Sequence, residues 1–243
     1  MKWGSFGPVH YATMVLAAVL VIALYFAIRK APRKVQTAVM GVLSLSGIFA
    51  IIYNLVRWDS PIHYLPLHLC SINAMLLPIA VFTRNKTIGN LLLVWSLGAL
   101  AALILNFEMT NAIVFGESFN VYFFPHVFEF GIPLLLFKLG HIKKDVHCIG
   151  STLTITMGIY TLVHLANVVI NRLVPDAGVN YMFSMEATNP LTKIFYQLIP
   201  YPYWYMYLVL PIVAVYLLAV YTPQIRVLYA QRKMEKKTVE KIA

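Results

Sequence analysis

Charged side chains are what this sequence has least of. Nine acidic and 19 basic residues make up only 12% of 243 positions, about half the share found in a soluble domain. So few charges cannot solvate the surface of a chain this long, which excludes an ordinary water-soluble globule. Cysteine is nearly absent as well: Cys70 and Cys148 are the two in the chain, too few for a disulfide framework. The period-2 alternation that marks the strands of a membrane barrel is missing. What fills the space is apolar, with 60% hydrophobic residues and a mean hydropathy of +0.74. A bilayer requires each crossing segment to satisfy its own backbone, so the expected fold is all-α, a single polytopic membrane helix bundle.

Seven spans can be drawn, at about His10–Ile28, Val35–Val56, Ile62–Phe82, Thr87–Asn106, Phe119–Phe137, Val146–Ile170 and Tyr203–Tyr221. The first run is long enough to be kept as a span, and a lone Lys2 makes a poor signal n-region. The net charge of +10 would point to nucleic acid in a soluble protein. Here it follows topology. Fifteen of the 19 basic residues fall in alternate loops and the tail: Arg29, Lys30, Arg33 and Lys34; Arg84 and Lys86; Lys138, Lys143 and Lys144; Arg226, Arg232, Lys233, Lys236, Lys237 and Lys241. The opposite side holds Lys2, Arg57, Arg172 and Lys193 with Asp59, Glu108, Glu117, Asp176 and Glu186. The positive-inside rule gives an outer N-terminus and a cytoplasmic C-terminus. The expected location is a multi-pass protein of a bacterial cell membrane, in contact with the bilayer and not with nucleic acid. Residues 223–243 form a basic cytoplasmic tail near anionic headgroups. The two cysteines then lie toward opposite faces.

The outer segment 171–202 is the one long connection. Asn189-Pro190 is a cap-then-proline helix start, so a short interfacial helix is expected over Leu191–Ile199. The cluster Tyr201-Pro202-Tyr203-Trp204-Tyr205 suits the headgroup region, as an aromatic belt or as part of a lid.

Polar groups inside a membrane span are expensive and usually functional. Tyr64-Leu65-Pro66-Leu67-His68-Leu69-Cys70-Ser71-Ile72-Asn73 carries four of them in six residues. At 1.5 Å per residue His68 and Cys70 lie roughly 10 Å below the outer face. His126 and Glu129, His164 and Asn167, Asn106, Asn54, Arg57 and His10 fall at the same depth, whereas the inner halves are mostly aliphatic. This sorting predicts an outward-facing polar cavity. Thr156, Tyr160, His164, Asn167 and Asn171 share one helix face, as do His126 with Glu129 and Cys70 with Asn73. His68 and Cys70 are two apart and point to different sides, so a base for Cys70 is expected from another span, His126 or His164. Pro133 and Pro78 free the carbonyls of Glu129 and Ala74. Each residue has a structural role open to it: a buried thiol is usually a small hydrophobe, and Asn and His often bond neighbouring helices.

Three chemistries suit such a cavity. In acyl transfer, Cys70 attacks a lipid ester, a histidine takes its proton and Asn or backbone donors hold the oxyanion. In a zinc hydrolase, His68, His126 and His164 would be the ligands, although no H-x-x-x-H or H-E-x-x-H pair occurs. In transport or ion coupling, Glu129, His126 and Arg57 would act, but few polar groups continue into the inner half.

Leu65-Pro66-Leu67-His68-Leu69-Cys70-Ser71-Ile72, Phe124-Pro125-His126 and the closing Asn189-Pro190 with Pro200-Tyr201-Pro202-Tyr203-Trp204-Tyr205 resemble the bacterial YwaF-like integral membrane proteins. Those are similar to the eukaryotic transmembrane protein 164 acyltransferases. The resemblance covers most of the chain in span order. It implies acyl transfer between phospholipids, with Cys70 in the place of the acyl-carrying cysteine and His126 in that of the later histidine. His68 before the cysteine and Ser71 after it depart from the eukaryotic motif. The expected site is therefore Cys70 as nucleophile and His126 as base, supported by His68, Asn73, Asn106, Glu129, Tyr160, His164 and Asn167. No metal or cofactor is called for, and the partner is a phospholipid or other acyl lipid. A non-enzymatic lipid or small-solute binder or transporter using the same cavity is the alternative, and the zinc-dependent hydrolase comes third.

Overall fold

In the computed structural model the chain is helical throughout: α1 (Pro8–Ile28), α2 (Arg33–Arg57), α3 (Leu69–Thr83), α4 (Lys86–Leu105), α5 (Glu117–Lys138), α6 (Cys148–Leu173), α7 (Pro190–Leu198) and α8 (Val209–Ile242). The structure describes residues 1–57 and 60–242. For Glu108 and residues 232–242 it describes the backbone alone. The charges expected at Asp59, Glu108 and from Arg232 to Lys241 therefore lie outside the described side chains.

Six segments are long and apolar enough to cross a membrane: α1, α2, α4, α5, α6 and Tyr205–Gln231. The bounds of the first five match the expected spans to within a few residues, and the last, expected over Tyr203–Tyr221, runs on to Gln231. The third span differs in kind. Expected as one helix over Ile62–Phe82, it is helical only from Leu69. At 1.5 Å per residue α3 is about 22 Å long, short of the ~30 Å hydrocarbon layer. Proline is the reason. Pro61 opens a single 3-10 turn over Pro61–Tyr64. Pro66 then holds Leu65 extended (φ −53°, ψ 140°), as a residue before proline prefers. His68 stays extended too (φ −75°, ψ 152°) and is the residue from which α3 starts.

Helices α4 and α5 are the centre of the bundle. α5 packs on α1, α2, α3 and α4, and α4 also packs on α6 and α8. The largest core joins Met40, Leu77, Leu92, Leu93, Ile132 and Leu136 near the end that carries the basic loops. There Asn90 donates to the Lys143 carbonyl (3.4 Å) and accepts from the Asp145 amide (3.1 Å) and the Tyr221 hydroxyl (2.5 Å). Lys86 pairs with Asp145 and holds that carboxyl below the usual carboxylate range.

The other end is built differently. Residues 1–7 fold back against 110–114, with the Trp3 amide donating to the Ala112 carbonyl (2.8 Å) and Gly4 to Thr110 (2.9 Å). The Trp3 ring is buried among Phe119, Phe123 and Leu103, and its indole N–H donates to Thr13 (2.7 Å). The expected short helix in the outer segment is α7. Asn189 and Thr192 form a reciprocal capping box there, with Pro190 in the first helical turn.

Candidate functional site

Half of the polar residues that sort to the outer depth are holding irregular chain. His10 accepts the Phe6 amide at Nδ1 (2.9 Å), which leaves Nε2–H to donate to the Leu103 carbonyl (2.9 Å). Asn106 donates to the Gly4 carbonyl (2.7 Å) and accepts from the Ser5 hydroxyl (2.7 Å). Asn167 donates to the Tyr181 carbonyl and the Ser184 hydroxyl (2.9 Å each) and accepts the Tyr181 amide (3.0 Å). Asn171 does the same for Val179. His164 meets Ser184 (3.1 Å), and the Tyr160 hydroxyl donates to the Tyr203 carbonyl (2.8 Å). The expected face of α6 exists, but it grips residues 179–184 and 203 rather than lining an open cavity. The physical cause is backbone satisfaction. Non-helical chain buried in a bundle cannot use its own ladder, so side chains supply the partners.

This grip is testable. Asn167→Ala leaves the buried Tyr181 amide without a partner and its carbonyl with only the long Ser184 amide contact (3.4 Å), so a loss of about 1–3 kcal/mol is expected. Thermal melting in detergent should fall, and residues 174–190 should become more sensitive to protease. Unchanged melting would remove the assignment.

Two groups differ from this pattern. His68 belongs to the outer segment: its Nδ1 accepts the Met182 amide (3.4 Å), and its ring meets Tyr181 and Phe183 edge-on or tilted. Tyr181 is buried among Leu65, Leu67, Leu69 and Ile72, with its hydroxyl on the Ile62 carbonyl. The outer segment thus seals the side of α3 that carries Leu69 and Ile72. Two shallow cavities lie in it, one of about 180 Å³ beside His63, His68 and Thr188, the other of about 450 Å³ beside Glu186, Lys193 and Tyr196.

The other group is on a different face of α3, where that helix meets α2 and α5. Cys70, Asn73, Ala74, Leu77 and Val81 follow one stripe, buried from Asn73 inward and partly exposed at Cys70. The access is therefore at the outer end. Asn73 faces the Glu129 carboxyl, and Cys70 and Glu129 are electrostatic neighbours. Asn73 is 1% exposed and Glu129 3%, yet neither side-chain polar atom of Asn73, nor Glu129 Oε2, completes a hydrogen bond. Buried polar atoms without partners are rare enough to need a reason.

His126 lies one turn outward from Glu129 on α5, as Cys70 lies one turn outward from Asn73 on α3. Both helices run in the same direction. With Asn73 facing Glu129, the matching offsets bring Cys70 and His126 to one level. His126 is 7% exposed and stacks on Tyr122 at 4.2 Å. Its Nδ1–H donates to the Tyr122 carbonyl (2.7 Å), so Nε2 carries the lone pair. Above these residues Arg57 of α2 and Glu117 of α5 approach to 3.6 Å at the rim.

The late start of α3 makes Cys70 its second residue. The first N–H groups of a helix have no intrahelical partner, and no side chain caps this end. Sequence reasoning placed Cys70 within a continuous span and missed this. Pro66 was the signal for it.

Beneath these residues the seam between α2 and α3 is made by small residues. A Cβ at Gly47 of α2 would lie 2.6 Å from the Ala74 Cβ and 3.2 Å from Glu129 Oε1. A Cβ at Gly41 would meet the Phe82 ring at 2.5 Å, but that ring is 59% exposed and can turn away. Gly47→Ala is expected to cost about 1–3 kcal/mol by overpacking, and Gly41→Ala much less. Equal melting shifts for the two would refute close packing beneath Glu129.

The residues read as a metal set do not converge: His68 sits on Met182, His126 on Tyr122 and His164 on Ser184. Among the described residues no three His, Cys, Asp or Glu side chains form a metal-binding group.

No curated protein and no solved structure matches the chain. A family model does, that of the TMEM164 family, over residues 5–221. That match covers nearly the whole chain, and with six membrane-crossing helices it identifies this multi-pass membrane protein as a member of the TMEM164 family.

Proposed function

We propose that this protein is a membrane-embedded acyltransferase that carries an acyl group on Cys70 between phospholipids or other acyl lipids. The observation that supports it most directly is the position of Cys70: second residue of a helix, partly exposed, on the face shared with Asn73, Glu129 and the level of His126. His126 Nε2 takes the thiol proton as the sulfur attacks the ester carbonyl. The N–H groups that open α3 receive the charge that develops on the carbonyl oxygen. The C–O bond then breaks, the lysolipid oxygen takes the proton back from His126, and a thioester remains on Cys70. An acceptor hydroxyl gives its proton to His126, attacks the thioester and restores the thiol. Water as acceptor makes the same site a lipid hydrolase.

In this reading the 61–68 segment and α3 together make a seventh crossing, whose outer part is non-helical because protein covers it. The N-terminus and the 174–208 segment are outside and the basic loops are cytoplasmic. α7 lies in the interface, and the outer segment covers the side of α3 that carries Leu69 and Ile72.

The test is direct. Purified protein incubated with phospholipid should gain the mass of one acyl chain, released by neutral hydroxylamine as a thioester is. Phospholipid bound in stoichiometric amount with no adduct and no turnover would favour a lipid binder instead.

A further inference from the structure

His68 takes no part in the proton transfer proposed at Cys70, yet it lines a second feature. The cavity of about 180 Å³ in the outer segment is bounded by His63, His68, Val179, Tyr181, Phe183 and Thr188. Such a volume is more than ten times the ~10–15 Å³ that admits one water. Asn180 also borders it, but its side chain is spent on the Glu186 carbonyl and the Met185 and Glu186 amides. The Tyr181 hydroxyl is spent on Ile62. The groups left to meet a ligand are the two imidazoles and the Thr188 hydroxyl.

These groups have a definite polarity. His68 Nδ1 accepts the Met182 amide, so its proton is on Nε2 and this nitrogen donates. His63 holds Ser60 at Nδ1 (2.7 Å) and keeps Nε2 for a second contact. Thr188 can donate. The lining contains no Asp or Glu, so an amine would find no counter-charge. The rings of Tyr181 and Phe183 are engaged with His68 rather than set around the space as a cage for a quaternary ammonium. Donors without carboxylates suit the oxygens of a phosphate ester.

The position fits one source of such a group. His68 precedes Cys70 by two residues, so their Cα atoms are at most ~7 Å apart. In a glycerophospholipid the phosphorus and the ester carbonyl of the neighbouring acyl chain are separated by a few covalent bonds, a similar reach. We infer that the His63–His68–Thr188 cavity binds the phosphodiester of a glycerophospholipid whose acyl ester is presented to Cys70. This rests on the acyl-transfer reading for the second half of the statement, while phosphate recognition stands by itself.

The experiment uses the full chain in detergent with Cys70→Ala to prevent turnover. The probes are dihexanoyl-phosphatidylglycerol, dihexanoylglycerol with the same chains but no phosphate, and glycerol phosphate with no chains. The phospholipid should bind tightest. His68→Gln, which keeps an acceptor for Met182, and Thr188→Val, which keeps the shape, should each weaken phospholipid binding at least about tenfold. Dihexanoylglycerol binding should be unchanged by either variant, which separates lost phosphate recognition from lost folding. Phospholipid affinity unchanged in both variants overturns the inference. So does equal weakening of both lipids, or glycerol phosphate binding as tightly as the phospholipid, which would mark a site for soluble phosphate esters. Acyl-adduct formation on the unsubstituted protein is read separately. If no adduct forms but binding still depends on His68, acyl transfer fails and the phosphate site stands. If the adduct forms without that dependence, the phosphate site fails and acyl transfer stands.

Discussion

Cys70→Ala is expected to abolish acyl-adduct formation and to lower lipid turnover by at least about 10³-fold, because loss of a nucleophile removes the covalent route entirely. The fold should survive, since Cys70 is only partly buried and the change removes a single sulfur. Cys70→Ser gives a sharper reading. A hydroxyl is a much weaker nucleophile near neutral pH, so turnover should fall almost as far. Any acyl group that does transfer would sit as an oxygen ester and resist neutral hydroxylamine. Cys148 provides the internal control. It is buried at the opposite end of the bundle, at the first residue of α6, so Cys148→Ala should retain both adduct and turnover. An adduct that disappears with Cys148 and persists without Cys70 would refute the assignment.

Residue types and their order were enough to read the class of the fold. Long apolar runs, basic loops on alternate connections and the capping pair at Asn189-Pro190 locate six of the eight helices to within a few residues, while α8 runs well past the expected end at Tyr221. The third span was misread because hydropathy counts Ile62–Phe82 as continuous. Pro61 and Pro66 have no N–H to give a helix, so the apolar run and the helix are different lengths. That distinction matters most at Cys70, since it turns a mid-span thiol into one at a helix start.

Depth sorting was a real signal with two origins. Asn106, Asn167, Asn171 and His10 mark where irregular chain enters the bundle and needs donors and acceptors. Cys70, Asn73 and Glu129 mark the seam where α3 meets α2 and α5, and His126 lies one turn from Glu129 on α5. Sequence position alone does not separate them, because both need polar groups at the same height. What separates them is satisfaction: every polar atom of the Asn106 and Asn167 side chains has a partner, whereas those of Asn73 and Glu129 Oε2 lack one. The α6 face was legible as a face from its spacing, but its partner, residues 179–184, lies in a loop with no periodicity to read.

Replacing His126 by alanine is expected to lower turnover by about 10²–10⁴-fold, the usual range for removing a general base. The argument rests on the ring's tautomer. Glu129, three residues along the same helix, is poorly placed to orient His126, because such neighbours rarely join ring to carboxylate well. The Tyr122 carbonyl takes that role from the preceding turn. It fixes the proton on Nδ1 and leaves the lone pair on Nε2. A second variant separates base from packing. His126→Asn can donate to the Tyr122 carbonyl through its amide but offers no ring nitrogen to take a proton, so its melting temperature should stay near that of the parent while turnover falls as in His126→Ala. Raising pH should recover part of the activity in both variants, because hydroxide replaces the missing base by forming the thiolate directly. His126→Asn with full turnover at neutral pH would show that another group takes the proton. Glu129, the electrostatic neighbour of Cys70 with an unpartnered oxygen, would then be the residue to replace.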